Sequence, residues 1–271
     1  MKTILIGLLL ILLNLALLHA QSTASSQVSK FTIDAPQLNA HKVVWVYTPK
    51  SYKKSKTNYP VMYMFDAQNL FDATTSYAGE WKIDEYLDSI SQREVIVVGI
   101  EHGNDKRLEE LTPYPNDQYG GGLGNKFLDF MINTLKPHID STYRTKTDAV
   151  HTSIVGSSLG GLMAFYALII YPDNFSKAGV FSPAFWINPE IYEYVATVDI
   201  PKSSRFYFMA GDQEDDTMLP NQQKMLDLLK EKGVPDNQMT VKVVKGGTHN
   251  EALWRSAFPD AFTWLFKADT Q

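Results

Sequence analysis

Two apolar runs, one ending at Val155 and one spanning Leu162 to Tyr171, are joined by Gly156-Ser157-Ser158-Leu159-Gly160-Gly161. A glycine two before and a glycine two after a serine, between a β-branched run and a helix-compatible one, is the pattern of a sharp strand-to-helix turn that presents the serine side chain. The glycines have a steric reason: the serine backbone is strained, and side chains at the flanking positions would strike the adjoining strand or helix. Ser158 is the candidate nucleophile, because no glycine stands two residues before Ser157. The backbone N–H of Leu159 would then open the next helix, where unpaired donors and the helix dipole favour a developing oxyanion.

A serine hydroxyl is a poor nucleophile at neutral pH without an imidazole to take its proton and a carboxylate to hold that imidazole. The loop Gly246-Gly247-Thr248-His249-Asn250-Glu251 follows the last expected strand and precedes the last expected helix, which makes His249 the candidate base. His41, His102, His138 and His151 fall at strand starts, loops or helix ends and read as surface or packing residues. The acid is expected in Gly211-Asp212-Gln213-Glu214-Asp215-Asp216, with Glu214 first, Asp216 second and Asp215 third. A calcium loop is the competing reading of these acids, but Thr217 and Gln223 stand where an EF-hand needs glycine and glutamate. A second oxyanion donor is expected after the apolar run Val61 to Asp66, at the backbone N–H of Gln68.

The 271 residues carry 44% hydrophobic and 20% charged side chains, enough for one sizeable core. Residues 1–20 combine Lys2, an apolar stretch from Ile4 to Leu18 and the small Ala20, the pattern of a cleaved secretory signal; residues 21–29 then form a polar spacer and 30–268 a single domain. The expectation is a secreted or periplasmic protein with no stable membrane association after cleavage. The absence of cysteine removes disulfides, thiolate metal sites and a cysteine nucleophile together. A net charge of −5, with no basic run longer than Lys53-Lys54, argues against nucleic acid as a partner. No metal and no cofactor is expected; Gly120 to Gly124 is no nucleotide loop, since Asn125 occupies the third glycine position and no strand leads into it.

Strands are expected at 28–34, 41–48, 61–66, 95–100, 178–182, 205–211 and 239–245 besides the one before Ser158. Helices are expected at 80–90, 126–135, after Ser158, at 218–230 and at 250–266. Strands alternating with helices imply a mostly parallel sheet of about eight strands covered on both faces, an α/β class of fold. The aromatic residues Trp81, Tyr114, Tyr119, Phe185 and Trp186 lie in segments that such a sheet sends to its strand carboxyl ends, where pockets form.

The chain resembles the putative esterase (esterase D-like) family of α/β-hydrolases over roughly residues 30–268. The resemblance rests on Gly156 to Gly161, Gly247 to His249, Tyr63 to Phe71, Arg107-Leu108-Glu109-Glu110-Leu111-Thr112-Pro113 and Phe181 to Trp186. It implies an α/β-hydrolase fold, a serine hydrolase of carboxylic esters with Ser158, Glu214 and His249 in the family's chain order, and no cofactor. Arg107 is expected near the substrate together with Trp81, Tyr114 and Trp186; aromatic pocket loops suit a sugar or aryl ring, so acylated carbohydrate or siderophore-type esters are the expected substrate classes. Ala67 and Leu111 depart from a family glycine and tyrosine, so the approach of an acyl group and the substrate preference are left open. An acyltransferase, a serine-histidine dyad without Glu214, and a non-catalytic carbohydrate or siderophore binder on a degenerate scaffold are the alternatives.

Overall fold

The computed structural model describes residues 21–90 and 93–267; the expected signal segment 1–20 lies outside them. The strands β1 (Val28–Ala35), β2 (Ala40–Tyr47), β3 (Val61–Phe65) and β4 (Ile96–Ile100) precede a two-residue pair, β5 (Pro115–Asn116) and β6 (Gly120–Gly121). They are followed by β7 (Thr152–Ser157), β8 (Lys177–Phe181), β9 (Arg205–Gly211) and β10 (Met239–Val244). Apart from β5 and β6, these form one eight-stranded sheet in the order β1-β2-β4-β3-β7-β8-β9-β10. From β4 to β10 neighbouring strands are parallel, and β2 joins β1 and β4 antiparallel.

Every residue of β3, β4 and β7 is buried, as a sheet covered on both faces demands. Alternate residues divide between two cores: Val61, Tyr63 and Phe65 face one, Met62 and Met64 the other. The first core is capped by α3 (Gly124–Phe130), α5 (Leu159–Ile170), α6 (Glu190–Thr197) and α7 (Met218–Glu231), and the second by α1 (Ile83–Ser89) and α8 (Glu251–Leu265). The short α2 (Arg107–Glu110) and α4 (Lys136–Thr142) also pack on the first core, through Leu108 and Ile139. Helix α5 buries all but its last residue, which matches its uniformly apolar sequence.

The helix expected to end at Leu135 runs on through a π-helical stretch, Met131–Leu135, into α4. Pro137 reads as a stop because its nitrogen cannot donate and its ring crowds the carbonyl of Asn133; a widened turn ahead of it lets the helix pass. The short α6 escaped the sequence reading, since Ile191, Tyr192 and Val195 have strand-like composition. Among the described residues no helix is long and apolar enough to cross a membrane.

The stretch expected as a spacer is fastened to the domain. Ser22 Oγ donates to Asp72 at 2.5 Å, Thr23 Oγ1 to Glu80 at 3.2 Å, and the Ser25 N–H to Asp84 at 2.6 Å, before Val28 begins β1.

After β3 the chain turns to one side, into α1 and β4, and after β7 to the other, into α5 and β8, although β3 and β7 are neighbours. The loops leaving two adjacent strands therefore diverge and open a crevice at their carboxyl ends. Its tight wall depends on Gly156, where a Cβ would stand 2.4 Å from the Gly160 carbonyl oxygen. Backbone atoms cannot rotate away, so Gly156→Ala should destabilise the fold by about 3 kcal/mol in urea unfolding. A loss under about 0.5 kcal/mol, the scale of an inert surface change, would show that α5 is free to shift.

Burial pushes the Asp84 carboxyl up from 3.8 to about 6. The folded chain thus holds this proton more tightly than the unfolded one: the stability it brings is full below the unfolded value and is lost as pH rises through about 6. Asp84→Asn stays neutral and can still accept from Ser25, so its melting temperature should fall less than the wild type's between about pH 4 and about pH 7. Parallel curves for the two proteins would contradict this.

Candidate active site

Ser158 caps α5 with φ 58° and ψ −121°, a conformation that L residues adopt only under constraint. The constraint is steric and polar together. The Ser158 N–H donates to Phe181 O of β8 at 2.9 Å, and the Ala184 N–H donates back to Ser158 O at 3.1 Å. A Cβ on Gly161 would lie 2.6 Å from Phe181 O, and one on Gly160 would lie 3.1 Å from the Phe65 Cβ. The helix therefore packs directly on three strand ends. As the first residue of α5, Leu159 has a backbone N–H with no acceptor inside the helix.

His249 and Glu214 come from separate loops held against each other by glycines. A Cβ on Gly211 would meet the Gly247 carbonyl oxygen at 2.1 Å. The Gln213 N–H donates to Gly247 O at 2.9 Å, and the Gly246 N–H donates to Asp212 Oδ1 at 2.6 Å. Across this clamp His249 Nδ1 and Glu214 Oε2 are hydrogen-bonded at 2.6 Å. The Glu214 side chain is fully buried, whereas that of His249 is 37% exposed. The other oxygen of Glu214 accepts from the Gly211 N–H at 2.6 Å and from Ser182 Oγ at 2.7 Å. Ser182 Oγ in turn accepts from Trp254 Nε1 at 2.9 Å, and the Trp254 ring stands edge-on to the His249 ring at 5.0 Å.

The neighbouring acids have other employment. Asp215 Oδ1 accepts from the Thr217 N–H, and this turn, with the hydroxyl of Thr217 as its main contributor, lowers the Asp215 pKa. Asp215 thus makes the turn into α7, and Asp216 is exposed. Glu214, Asp215 and Asp212 point to different partners and form no shared cation loop.

Gln68 lies in a single 3-10 turn, Ala67–Asn69, entered through Asp66 at φ 58°. Its amide is paired with the backbone of His102: Nε2 donates to His102 O at 3.1 Å and Oε1 accepts from the His102 N–H at 3.3 Å. Arg107 grips Asp66 through Nε and Nη2, both at 2.8 Å. That pairing outweighs the cost of burial and raises the Arg107 pKa. Burial lowers the His102 pKa, which disfavours a charged ring beside this pair.

Ser158, His249 and Arg107 line both lobes of a cleft. One lobe, of about 720 Å³, has polar walls that include Asp66, Gln68, Asn69, His102 and Glu251, with the exposed Tyr77 at its rim. The other, of about 530 Å³, is lined by Leu108, Leu159, Ala184, Trp186, Ile187 and Met218 beside the Gln213 to Asp215 loop. The structure brings Ser158, His249, Glu214, Leu159, Gln68, Arg107 and Trp186 to this cleft. It leaves two expected residues outside. Trp81 is a core residue packed against Phe181, Trp254 and Phe258, and Tyr114 packs edge-on against Tyr166 on the first core. Phe185 is likewise buried, while the exposed Tyr119 stands edge-on to Trp186.

Neither departure from the family pattern shapes the cleft. The Ala67 methyl faces the second core, 3.0 Å from where a Gly99 Cβ would stand, and Leu111 belongs to the first core.

Ser182 is the residue that sequence reasoning missed and that most directly holds the acid. Replacing it by alanine strands the buried Trp254 N–H and removes one donor from Glu214. Ser182→Ala should therefore cost about 1–3 kcal/mol of stability in urea unfolding. An unchanged midpoint would mean that Trp254 and Glu214 find other partners.

Comparison with known proteins identifies the family and the fold. Residues 35–265 match the family described as putative esterase. An uncharacterized protein of Bacillus subtilis (strain 168), YbbA, is 29% identical over 243 residues, 82% of this chain and 91% of that one. The endo-1,4-beta-xylanase/feruloyl esterase of Xylanibacter ruminicola is 25% identical over 233 residues, 82% of this chain but only 29% of that longer protein. Among solved structures, an IroE-like serine hydrolase from Shewanella oneidensis superposes with a TM-score of 0.73 at 23% identity, covering 89% of this chain and 80% of that one. The eight-stranded sheet is thus that of the α/β-hydrolase fold, and the chain belongs to the putative esterase family.

Proposed function

We propose that this protein is an exported serine esterase that cleaves carboxylic esters through an acyl-enzyme. The observation that carries the reading is the 2.6 Å bond between His249 and a fully buried Glu214, facing a cleft that also holds the strained Ser158. With Nδ1 held by Glu214, the remaining ring nitrogen of His249 takes the Ser158 proton as Oγ bonds to the acyl carbon. The N–H groups of Leu159 and Gln68 receive the oxyanion, and the helix dipole of α5 favours the charge there. Collapse breaks the bond to the alcohol oxygen, which leaves with the proton from His249. Water then attacks the acyl carbon, giving its proton to His249 and releasing the acid and the serine hydroxyl.

The two lobes suit two chemically different halves. An apolar acyl group fits among Leu108, Leu159, Ile187 and Met218, with Trp186 and Tyr119 at the rim offering ring faces to an aryl acid. A hydrogen-bonding alcohol fits the polar lobe. Arg107 is the cation that lines the cleft, and it is already committed to Asp66. That distribution favours an acylated carbohydrate over a siderophore bearing several negative charges. Export rests on the apolar character of residues 1–20.

A fluorophosphonate probe should label Ser158 alone, and Ser158→Ala should lose the adduct together with at least about 10⁴-fold in kcat on 4-nitrophenyl acetate. Correctly folded protein that takes up no probe and cleaves no ester would overturn the reading.

A further inference from the structure

The polar lobe contains a carboxylate that the reaction does not use. Glu251 is 6% exposed, yet it lines the cleft with Ser158 and His249. It is the first residue of α8, whose turn is closed by the Asn250 side chain accepting from the Leu253 N–H. Its Oε1 accepts from Asn69 Nδ2 at 3.4 Å, the outer limit of a hydrogen bond, and its own backbone N–H is the other donor that reaches the carboxylate. Neither is a cation. Arg107, the positive side chain lining the same lobe, is held bidentate by Asp66. Asp66 offsets the Arg107 charge and burial disfavours a charged His102 ring. Burial raises the Glu251 pKa while Arg107 and His249 favour its ionised form, and no cation is hydrogen-bonded to this carboxylate among the described residues.

Resting on the esterase reading above, we infer that Glu251 is a specificity-determining residue that selects the alcohol half of the ester. Its carboxylate accepts hydrogen bonds from neutral hydroxyl groups and repels alcohols that carry a carboxylate, catecholate or phosphate. The physical basis is twofold. A buried carboxylate whose one side-chain hydrogen bond is long gains a charge-assisted bond when a substrate hydroxyl reaches it. An anion brought within several ångströms of it in a cleft of intermediate dielectric is disfavoured by an amount worth about tenfold in an equilibrium constant. A carboxylate at a helix N-terminus also stabilises the helix, so the test must separate selectivity from stability.

Two esters sharing one acyl group make that separation: 1-O-benzoylglycerol and 3-O-benzoylglycerate, which differ in the charge of the alcohol half. The wild type should favour the neutral ester in kcat/KM by about tenfold. Glu251→Gln, which keeps the size and a hydrogen-bonding oxygen, should bring the ratio close to unity, chiefly by lowering KM for the anionic ester. Glu251→Asp, which keeps the charge, should retain the preference even if the helix is weakened. A purely structural role would move the melting temperature of both variants and leave the ratio alone. A ratio unchanged in Glu251→Gln, or near unity in the wild type, would overturn the inference while leaving the esterase intact. Wild-type protein that cleaves neither these esters nor 4-nitrophenyl acetate would instead defeat the esterase reading on which the inference rests.

Discussion

The close approach of α5 to the ends of β3, β7 and β8 is the constraint on which the site depends. Gly156, Gly160 and Gly161 are the positions where it is felt, because a Cβ at each would fall within about van der Waals contact or well inside it. Only with those side chains absent does the helix begin directly after Ser158, which fixes the Leu159 N–H at the mouth of the crevice. A backbone such as that of Ser158 costs about 1–3 kcal/mol. Leu162, Phe165 and Leu168, fully buried on the same helix, each return about 1.5–3 kcal/mol through burial. The packing of the helix therefore outweighs the strain at its first turn severalfold, and the serine cannot relax without lifting the helix off the sheet.

The same logic of close backbone approach assembles the other half of the site. Gly211 and Gly247 bring the loops after β9 and β10 into contact, and the carboxylate of Glu214 is buried where they meet. A buried carboxylate is tolerated only when it is hydrogen-bonded, and this one has Gly211 N–H, Ser182 Oγ and His249 as partners. Because Trp254 donates to Ser182 and its ring edge abuts His249, α8 supports both the acid and the imidazole. Asp215 and Asp216, one and two residues on, have no such burial, which is why a run of similar acids contains one suited to orient a histidine.

Much of this was legible in the chain because the sequence signals are steric or periodic. Unbroken apolar runs located β3, β4 and β9, and the glycine spacing located the turn at Ser158 and with it β7. The loops after β9 and β10 located Glu214 and His249. What was not legible depends on which way a side chain points. Trp81 and Trp186 are the same letter in neighbouring contexts of the fold, yet one lies in the core between Phe181 and Trp254 and the other lines the cleft. Leu111 and Ala67 are departures from a family pattern whose side chains turn inward, so their identity says little about the substrate. Ser182 follows a strand and resembles any loop serine until the partners 32 and 72 residues away are known. The grip of Arg107 on Asp66 spans 41 residues and could not be read from either residue alone.

Three non-glycine residues with positive φ, Asp66, Ser158 and Ser182, each stand immediately after one of the adjacent strands β3, β7 and β8. Backbone strain of this kind persists only where the surroundings over-determine it, and here each residue has its own restraint. Asp66 is clamped by Arg107, the Ser158 N–H is bonded to Phe181 O, and the Ser182 N–H is bonded to Met209 O. Each of the last two bonds runs from one strand end to the next strand over, so the restraints form a row across the sheet. In each case the left-handed turn re-aims the chain just as it leaves the sheet. Asp66 leads into the 3-10 turn that brings Gln68 to the crevice, Ser158 lines it, and Ser182 reaches back to Glu214. A sheet whose strands ended in relaxed turns would keep its core and lose the convergence of these groups. The strain thus marks where the fold departs from the cheapest route for the chain in order to bring polar groups from three strands to one place.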